Sequence, residues 1–219
     1  MKNLMTDDKA RLKKWAEAVK IFCNLFWGPT IENCRELQMG SLQLMMSVSL
    51  EKEEVQSLTD QLKQIVMSYP SPDALQEELE SVYIRQFIND QGGIQTPLYH
   101  SSYGEGNQIS NELLMGNPLQ EMNERFAEIG LSVMDGIHEP ADHISLELEY
   151  LFYLLQQGAE TGDSGYIEGA VDFSRNFMLP WIKQLSGRLN SPPDKIFYPI
   201  IVEMLVLLLE EVAGDDLIP

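Results

Sequence analysis

The sequence has few basic residues, few cysteines and few histidines, and each shortage argues against a class of function. Its 219 residues include 15 Lys and Arg against 34 Asp and Glu, which gives a formal net charge of -19. A nucleic-acid binder needs a basic surface to displace counterions from phosphate, so this balance argues strongly against nucleic acid as a partner. Two cysteines in a chain of this length form no disulfide framework. Cys23 and Cys34 lie in segments of helical pattern, so we expect both to be small buried side chains.

Long apolar runs are also absent. The most apolar one, residues 200–209, is about half the length of a membrane span, contains Glu203 and follows Pro199. We therefore expect a buried core helix there and no contact with a membrane. The first twenty residues are rich in charge and lack the apolar stretch that a secretion signal requires, which predicts a soluble cytoplasmic protein.

Apolar residues recur at helical spacing along the chain, and no segment shows the alternation of a strand or the turn chemistry of a hairpin. The sequence therefore predicts an all-α, helical bundle-like fold. The predicted helices run from Asp7 to a stop at Gly28 and Pro29, over 30–47 with a break near Gly40, over 50–69, from a cap at Ser71 or Asp73 to 91–93, over 109–129 with a pause at 116–118, over 142–158, over 164–189 with Pro180 as a kink or boundary, and over 193–212.

Two breaks in this pattern mark a candidate functional segment and a candidate domain boundary. Residues 92–108 are rich in Gly, Pro, Ser and Tyr without helical spacing, and such a stretch in a helical protein is more often functional than idle. The second break divides the chain into an N-terminal helical half (1–130), a hinge or connecting loop (131–141) and a C-terminal helical half (142–219). A link that contains Gly and Pro between two such halves predicts that some of the protein forms a homodimer by exchanging them.

Acidic residues are concentrated in the middle of the chain. Between Glu105 and Glu149 ten Asp and Glu accompany a single basic residue, Arg125. This segment is interpreted either as a solvated surface or as a docking face for a cationic partner. The 11 methionines are interpreted mainly as core residues, although their adaptable thioethers also suit a groove that accepts an apolar peptide.

Residues 138–143 place two imidazoles and two carboxylates within six positions, a composition typical of metal sites. The spacing argues against a metal, because a metalloprotease helix needs two histidines four residues apart, whereas His138 and His143 are five apart with Pro140 between them. The other interpretation is a helix start, with Asp142 near its N-terminus. We expect a binding protein with no metal, cofactor or catalytic group. The alternatives are a generic acidic adaptor and a metal-dependent hydrolase that uses His138, Glu139, Asp142 and His143.

Three segments in order along the chain form a recognisable set. Residues 139–143 read Glu-Pro-Ala-Asp-His and precede a helix rich in Leu and Glu, residues 96–103 read Thr-Pro-Leu-Tyr-His-Ser-Ser-Tyr, and residues 83–87 read Tyr-Ile-Arg-Gln-Phe. The set resembles the TorD/DmsD/NarJ family of cytoplasmic chaperones for molybdoenzymes, whose members carry Glu-Pro-x-Asp-His, a loop of Pro, Tyr and Ser, and a Tyr-x-x-Leu-Phe helix. The departures are Gln86 in place of the usual Leu and Phe177 where many members have His.

The resemblance implies a chaperone rather than an enzyme. Its expected partner is the precursor of a molybdoenzyme, trimethylamine N-oxide reductase for the branch that this chain is most like. The chaperone would bind the twin-arginine signal peptide and the immature body, and would delay export until the molybdenum cofactor is inserted. We expect Asp142 and His143 to form a polar pair at an exposed helix start with few packing contacts. The residues expected to bind the peptide are Glu139, Pro140, Asp142, His143, Tyr83, Phe87, Pro97, Tyr99, Ser101 and Tyr103.

Overall fold

The computed structural model describes residues 6–50, 52–88, 94, 96–104, 117–130, 139–189 and 197–214. Within these ranges every regular element is a helix, so the predicted all-α fold is confirmed. The helices are α1 (Thr6–Phe26), α2 (Ile31–Met39), α3 (Ser41–Ser49), α4 (Glu53–Met67), α5 (Pro72–Tyr83), α6 (Asn117–Glu128), α7 (Ile144–Thr161), α8 (Ser164–Asp172), α9 (Leu179–Leu189) and α10 (Phe197–Gly214), with π turns at Ile84–Ile88 and Phe173–Met178 and a 3-10 turn at His100–Ser102.

The core is continuous from α1 to α10. The apolar stripe of α1 is buried along its whole length, and α1 packs against α7, α3 and α10. Residues 200–209 form the buried middle of α10, as their composition predicts. No helix in the described ranges is long and apolar enough to cross a membrane. Helices from both predicted halves contribute to this one core. The boundary between the halves stays a prediction.

Local signals place most of the helix ends. Gly40 separates α2 from α3 with φ of 83°, a left-handed conformation that glycine adopts without steric cost. Ser71 caps α5, because its side chain accepts the N–H of Ala74 at 3.2 Å. Cys23 and Cys34 are buried free thiols as expected, and burial raises the pKa of Cys34 to about 11.

Several helix ends differ from the predictions, each for a local reason. Thr6 already lies within α1, so Asp7 belongs to its first turn rather than capping it. The predicted kink at Pro180 is a π turn that ends two residues before it. The N–H of Leu179 reaches back five residues to Ser174, and Pro180 has no N–H to continue the regular ladder.

Some predictions concern residues outside the described ranges. They are His138, the helix end at 91–93, the helix start near 109 with its pause at 116, the helix start at 193, and most of the 131–141 hinge.

Candidate functional site

The loop 96–103 pairs with the start of α7. The N–H of His100 donates to the carbonyl of Asp142 at 3.0 Å, and the N–H of Ile144 donates to the carbonyl of Leu98 at 2.9 Å. These two bonds form an isolated antiparallel bridge between Tyr99 and His143. The tertiary structure therefore joins two of the motifs that the sequence analysis identified separately.

The side chain of Asp142 binds this loop through a hydrogen bond. Its side chain is 0% exposed, and its Oδ2 accepts the backbone N–H of Ser101 at 2.9 Å. Its other oxygen, Oδ1, has no hydrogen-bond partner among the described residues. The expectation of an exposed polar pair at the helix start is wrong, because the loop covers both Asp142 and His143.

His143, rather than Asp142, caps α7. Its Nδ1 accepts the N–H of Ser145 at 3.2 Å, and α7 begins at Ile144 instead of at the predicted Asp142. Burial lowers the pKa of His143 to about 4, and the nearby carboxylates of Glu139 and Asp142 offset only part of that effect. The imidazole is therefore neutral at pH 7, which is the form that can accept at Nδ1.

The ring of His143 links two aromatic side chains that reach the surface. Trp27 stacks on it at 5.2 Å between centroids, and Tyr99 meets it edge-on at 5.3 Å. The Tyr99 hydroxyl donates to Glu139 Oε2 at 2.6 Å, and Trp27 Nε1 donates to Glu149 Oε1 at 3.3 Å. Burial and the bond to Glu139 raise the pKa of Tyr99.

Tyr83 completes this surface. Its hydroxyl donates to the carbonyl of Phe26 at 2.9 Å. Burial, and to a smaller extent the charge of Glu139, raises the pKa of Tyr83 to about 12. We call the set Trp27, Tyr83, Tyr99, Glu139 and Glu149 the aromatic–acidic face. Its aromatic members are half-buried, whereas Glu149 is exposed. Pro140, next to Glu139, is also half-buried.

The other predicted site residues lie in the packed layer around the face. Phe87 is buried edge-on against Tyr198 of α10 at 4.9 Å. The Tyr103 hydroxyl donates to the carbonyl of Pro97 at 2.8 Å, and both residues are buried. Ser101 is buried, and its backbone N–H donates to Asp142. The predicted residues thus lie in one region, but six of them are buried beneath its surface.

A buried polar network that the sequence did not predict lies beneath the loop. Glu147 is 0% exposed, with Oε1 lying 3.0 Å from His100 Nδ1 and Oε2 accepting Trp181 Nε1 at 2.9 Å. Burial raises the pKa of Glu147 well above its usual value and lowers that of His100 to about 4. Both directions favour the uncharged forms of the two side chains. Phe177, the second departure from the family pattern, packs edge-on against His100 at 4.6 Å.

A signal for Glu147 was present in the sequence. Helical spacing places it in line with Ile144, Leu151 and Leu154, which are all buried. A carboxylate on the apolar stripe of a helix needs a polar partner, and the sequence alone does not say which residue supplies it. Trp27 gave no signal, because it lies just beyond the end of α1 and 112 positions before Glu139.

Metal binding finds no geometric support in the described ranges. No three His, Cys, Asp or Glu side chains there are grouped to hold an ion. The Asp142 carboxylate and the His143 ring, two members of the suggested cluster, are turned to the backbone N–H groups of Ser101 and Ser145.

A family model matches the part of the chain that carries the site. The model described as nitrate reductase delta subunit matches residues 50–186, which include every predicted site residue. The chain belongs to this family. Its members are redox enzyme maturation chaperones of the TorD/NarJ type, which are not enzymes.

Individual relatives extend the similarity over most of the chain. Chaperone protein TorD of Vibrio parahaemolyticus serotype O3:K6 is 24% identical over 214 residues, covering 92% of this chain and 94% of the relative. Chaperone protein TorD of Aliivibrio salmonicida is 25% identical over 164 residues, covering 72% and 74%. A solved structure from Archaeoglobus fulgidus, assigned as a redox enzyme maturation protein, superposes with a TM-score of 0.51 over 89% of this chain and 93% of that chain, at 22% identity. This likeness shows that the two chains share a fold.

Proposed function

We propose that this chaperone acts in the cytoplasm on the precursor of a molybdoenzyme of the trimethylamine N-oxide reductase type. It binds the twin-arginine signal peptide and the immature body, and it delays export until the molybdenum cofactor is inserted. The relatives named Chaperone protein TorD, at about 25% identity over most of the chain, support the choice of client. The observation that carries the proposal is the aromatic–acidic face.

The chemistry of the face suits a twin-arginine signal peptide. Guanidinium groups stack on aromatic rings and bind carboxylates in a planar fork. Trp27 and Tyr99 supply rings, and Glu139 and Glu149 supply carboxylates beside them. Each carboxylate uses one site for its aromatic neighbour and keeps further acceptor sites for an arginine.

The apolar part of the peptide supplies most of the affinity. Exposed ion pairs contribute about 0 to 1 kcal/mol each, whereas micromolar binding requires about 8 kcal/mol. Burying three or four Leu or Phe side chains at about 25 cal/mol per Å² supplies several kcal/mol. The acidic face then mainly steers approach and orientation, and salt weakens binding only moderately.

The ten predicted peptide-binding residues take two roles in this proposal. Glu139, Pro140, Tyr83 and Tyr99 are half-buried and contact the peptide, together with Trp27 and Glu149. The buried group holds the surface in shape, and it consists of Asp142, His143, Phe87, Pro97, Ser101 and Tyr103.

The test is a fluorescence anisotropy titration of three labelled signal peptides at low and high salt. Replacing the two arginines by lysines is expected to lower affinity modestly, and replacing the apolar-region leucines by serines is expected to nearly abolish binding. Affinity that collapses at high salt, with the opposite ranking of the peptides, would show that charge dominates.

Variants of the chaperone locate the site in the same assay. Trp27→Ala and the double variant Glu139→Gln with Glu149→Gln are expected to weaken binding several-fold. Glu168→Gln, an exposed glutamate of α8, is the matched control and leaves affinity unchanged. Equal affinity in all four proteins would remove the face from the proposal.

A further inference from the structure

A groove lies between α4, α9 and α10. Its volume is about 390 Å³, within the roughly 300 to 1,000 Å³ of ligand-binding clefts. Its apolar members are half-buried, and its polar members include two carboxylates. The lining residues that matter are Leu58, Val206, Leu207, Glu54, Glu203 and Ser186.

Two lysines near the groove are paired with glutamates outside its lining. Lys52 pairs with Glu211 at 2.8 Å, and Lys183 pairs with Glu210 at 2.7 Å. These pairs tie α4 and α9 to the C-terminal end of α10, beyond the groove. The described lining therefore combines an apolar floor with carboxylates and contains no basic side chain.

The groove is separate from the aromatic–acidic face. Tyr198, at the start of α10, contacts Tyr83 of that face at 5.8 Å between ring centroids. Nine residues later, at about 100° per residue, Leu207 points to the opposite side of α10 and lies about 13 Å further along its axis. A peptide held on the face by Tyr83 is thus on the other side of the helix from the groove.

The charge of the groove restricts its occupant. A second copy of this chain would bring another net charge of -19, which opposes association through an acidic groove. A segment with an apolar stripe flanked by Lys or Arg matches both the floor and the carboxylates, in the manner of a helix bound in a groove. Incompletely folded proteins expose such amphipathic segments.

We propose that this groove is a second docking site, which takes a cationic amphipathic segment from the immature body of the client. The source of the segment rests on the proposed function, whereas the chemistry of the groove does not. The signal peptide and the body are then held on opposite sides of α10, so one chaperone can engage both.

The probe is a labelled 18-residue peptide in which leucine recurs at helical spacing and arginine fills the other face. A peptide of the same length with glutamate in place of arginine is its control. We expect wild-type protein to bind the arginine peptide at least tenfold more tightly. Leu207→Asp lowers that affinity at least tenfold, and Glu54→Gln with Glu203→Gln lowers it several-fold and reduces its salt dependence.

Matched variants separate the groove from the rest of the surface. Leu44→Asp changes a leucine of α3 that is 67% exposed, and it leaves the affinity for the arginine peptide unchanged. Trp27→Ala, on the aromatic–acidic face, also leaves it unchanged. Ser186→Trp fills the groove and reproduces the loss, which keeps the test decisive if Leu207→Asp does not fold.

Three results would overturn the second site. They are equal binding of the arginine and glutamate peptides, unchanged affinity in the groove variants, and loss of affinity in Trp27→Ala. A signal peptide that fails to bind wild-type protein would instead count against the proposed function, and the arginine peptide would still decide the fate of the groove.

Discussion

Asp142→Ala is expected to destabilise the whole protein rather than only its binding. Removing the carboxylate leaves the N–H of Ser101 buried without its partner at 2.9 Å. Losing a hydrogen bond to a charged group and leaving its partner unsatisfied costs about 1.5 to 3 kcal/mol. For a chain of this length, about 2 kcal/mol lowers Tm by about 4 to 8 °C.

Asp142→Asn is expected to cost less than half as much. The amide oxygen can still accept the N–H of Ser101, and the variant removes a buried carboxylate whose Oδ1 has no partner among the described residues. The measurement is thermal unfolding followed by circular dichroism, with hydrogen exchange of the amides in the 96–103 loop. Faster exchange at Ser101 in Asp142→Ala would locate the loss.

Asp163→Ala is the matched control. Asp163 also presents a carboxylate oxygen to a backbone N–H at 2.9 Å, that of Gly165, but its side chain is exposed at the start of α8. Losing such a cap costs about 1 kcal/mol, and it leaves exchange at Ser101 and signal-peptide affinity unchanged. A Tm for Asp142→Ala within about 1 °C of wild type, with weakened peptide binding, would refute the buried role and restore the exposed polar pair.

Three further predictions follow from burial and connectivity. Burial lowers the folded-state pKa of His143 to about 4, so its contribution to stability is present above pH 6.5 and falls by about 3 kcal/mol between pH 6.5 and 4. Urea unfolding at pH 7 and 4.5 measures this loss. His143→Asn removes the share of His143, whereas that of His100, whose pKa is also lowered to about 4, remains. The raised pKa of Glu147 makes its contribution to stability fall as pH rises from about 4.5, so the stability of Glu147→Gln relative to wild type is expected to increase as pH rises above that value. Light scattering across a wide concentration range and after mild acid treatment is expected to find some dimer formed by exchange of the two halves, and a single monomeric species throughout would contradict the exchange.

The local sequence pattern was sufficient to identify the helices. The apolar spacing of α1 identifies its buried stripe, since a period of 3.6 places those residues on one side of any helix. Gly40 and Ser71 mark helix ends because a left-handed residue and a capping hydroxyl act within one turn. These features depend on neighbours in sequence, so the sequence alone determines them.

Local pattern was insufficient where a distant segment changes the outcome. Asp142 is a good capping residue by sequence, yet its oxygen is taken by Ser101, 41 positions earlier, and His143 becomes the cap. The same loop turns an expected exposed pair into buried groups. Spacing along one helix says which residues lie on one side, but not which loop will cover them.

The candidate site also combines residues that the sequence predicts with residues that only the tertiary structure shows. Sequence motifs identified the loop and the helix start, which include Tyr99 and Glu139 of the aromatic–acidic face. Only the tertiary structure added Trp27 and Glu149, which are 122 positions apart yet bonded at 3.3 Å, and paired Glu147 with His100. Residues far apart in sequence carry no shared period, so their meeting is decided by how α1, α7 and the loop pack, and that packing also decides which polar groups stay open to a client.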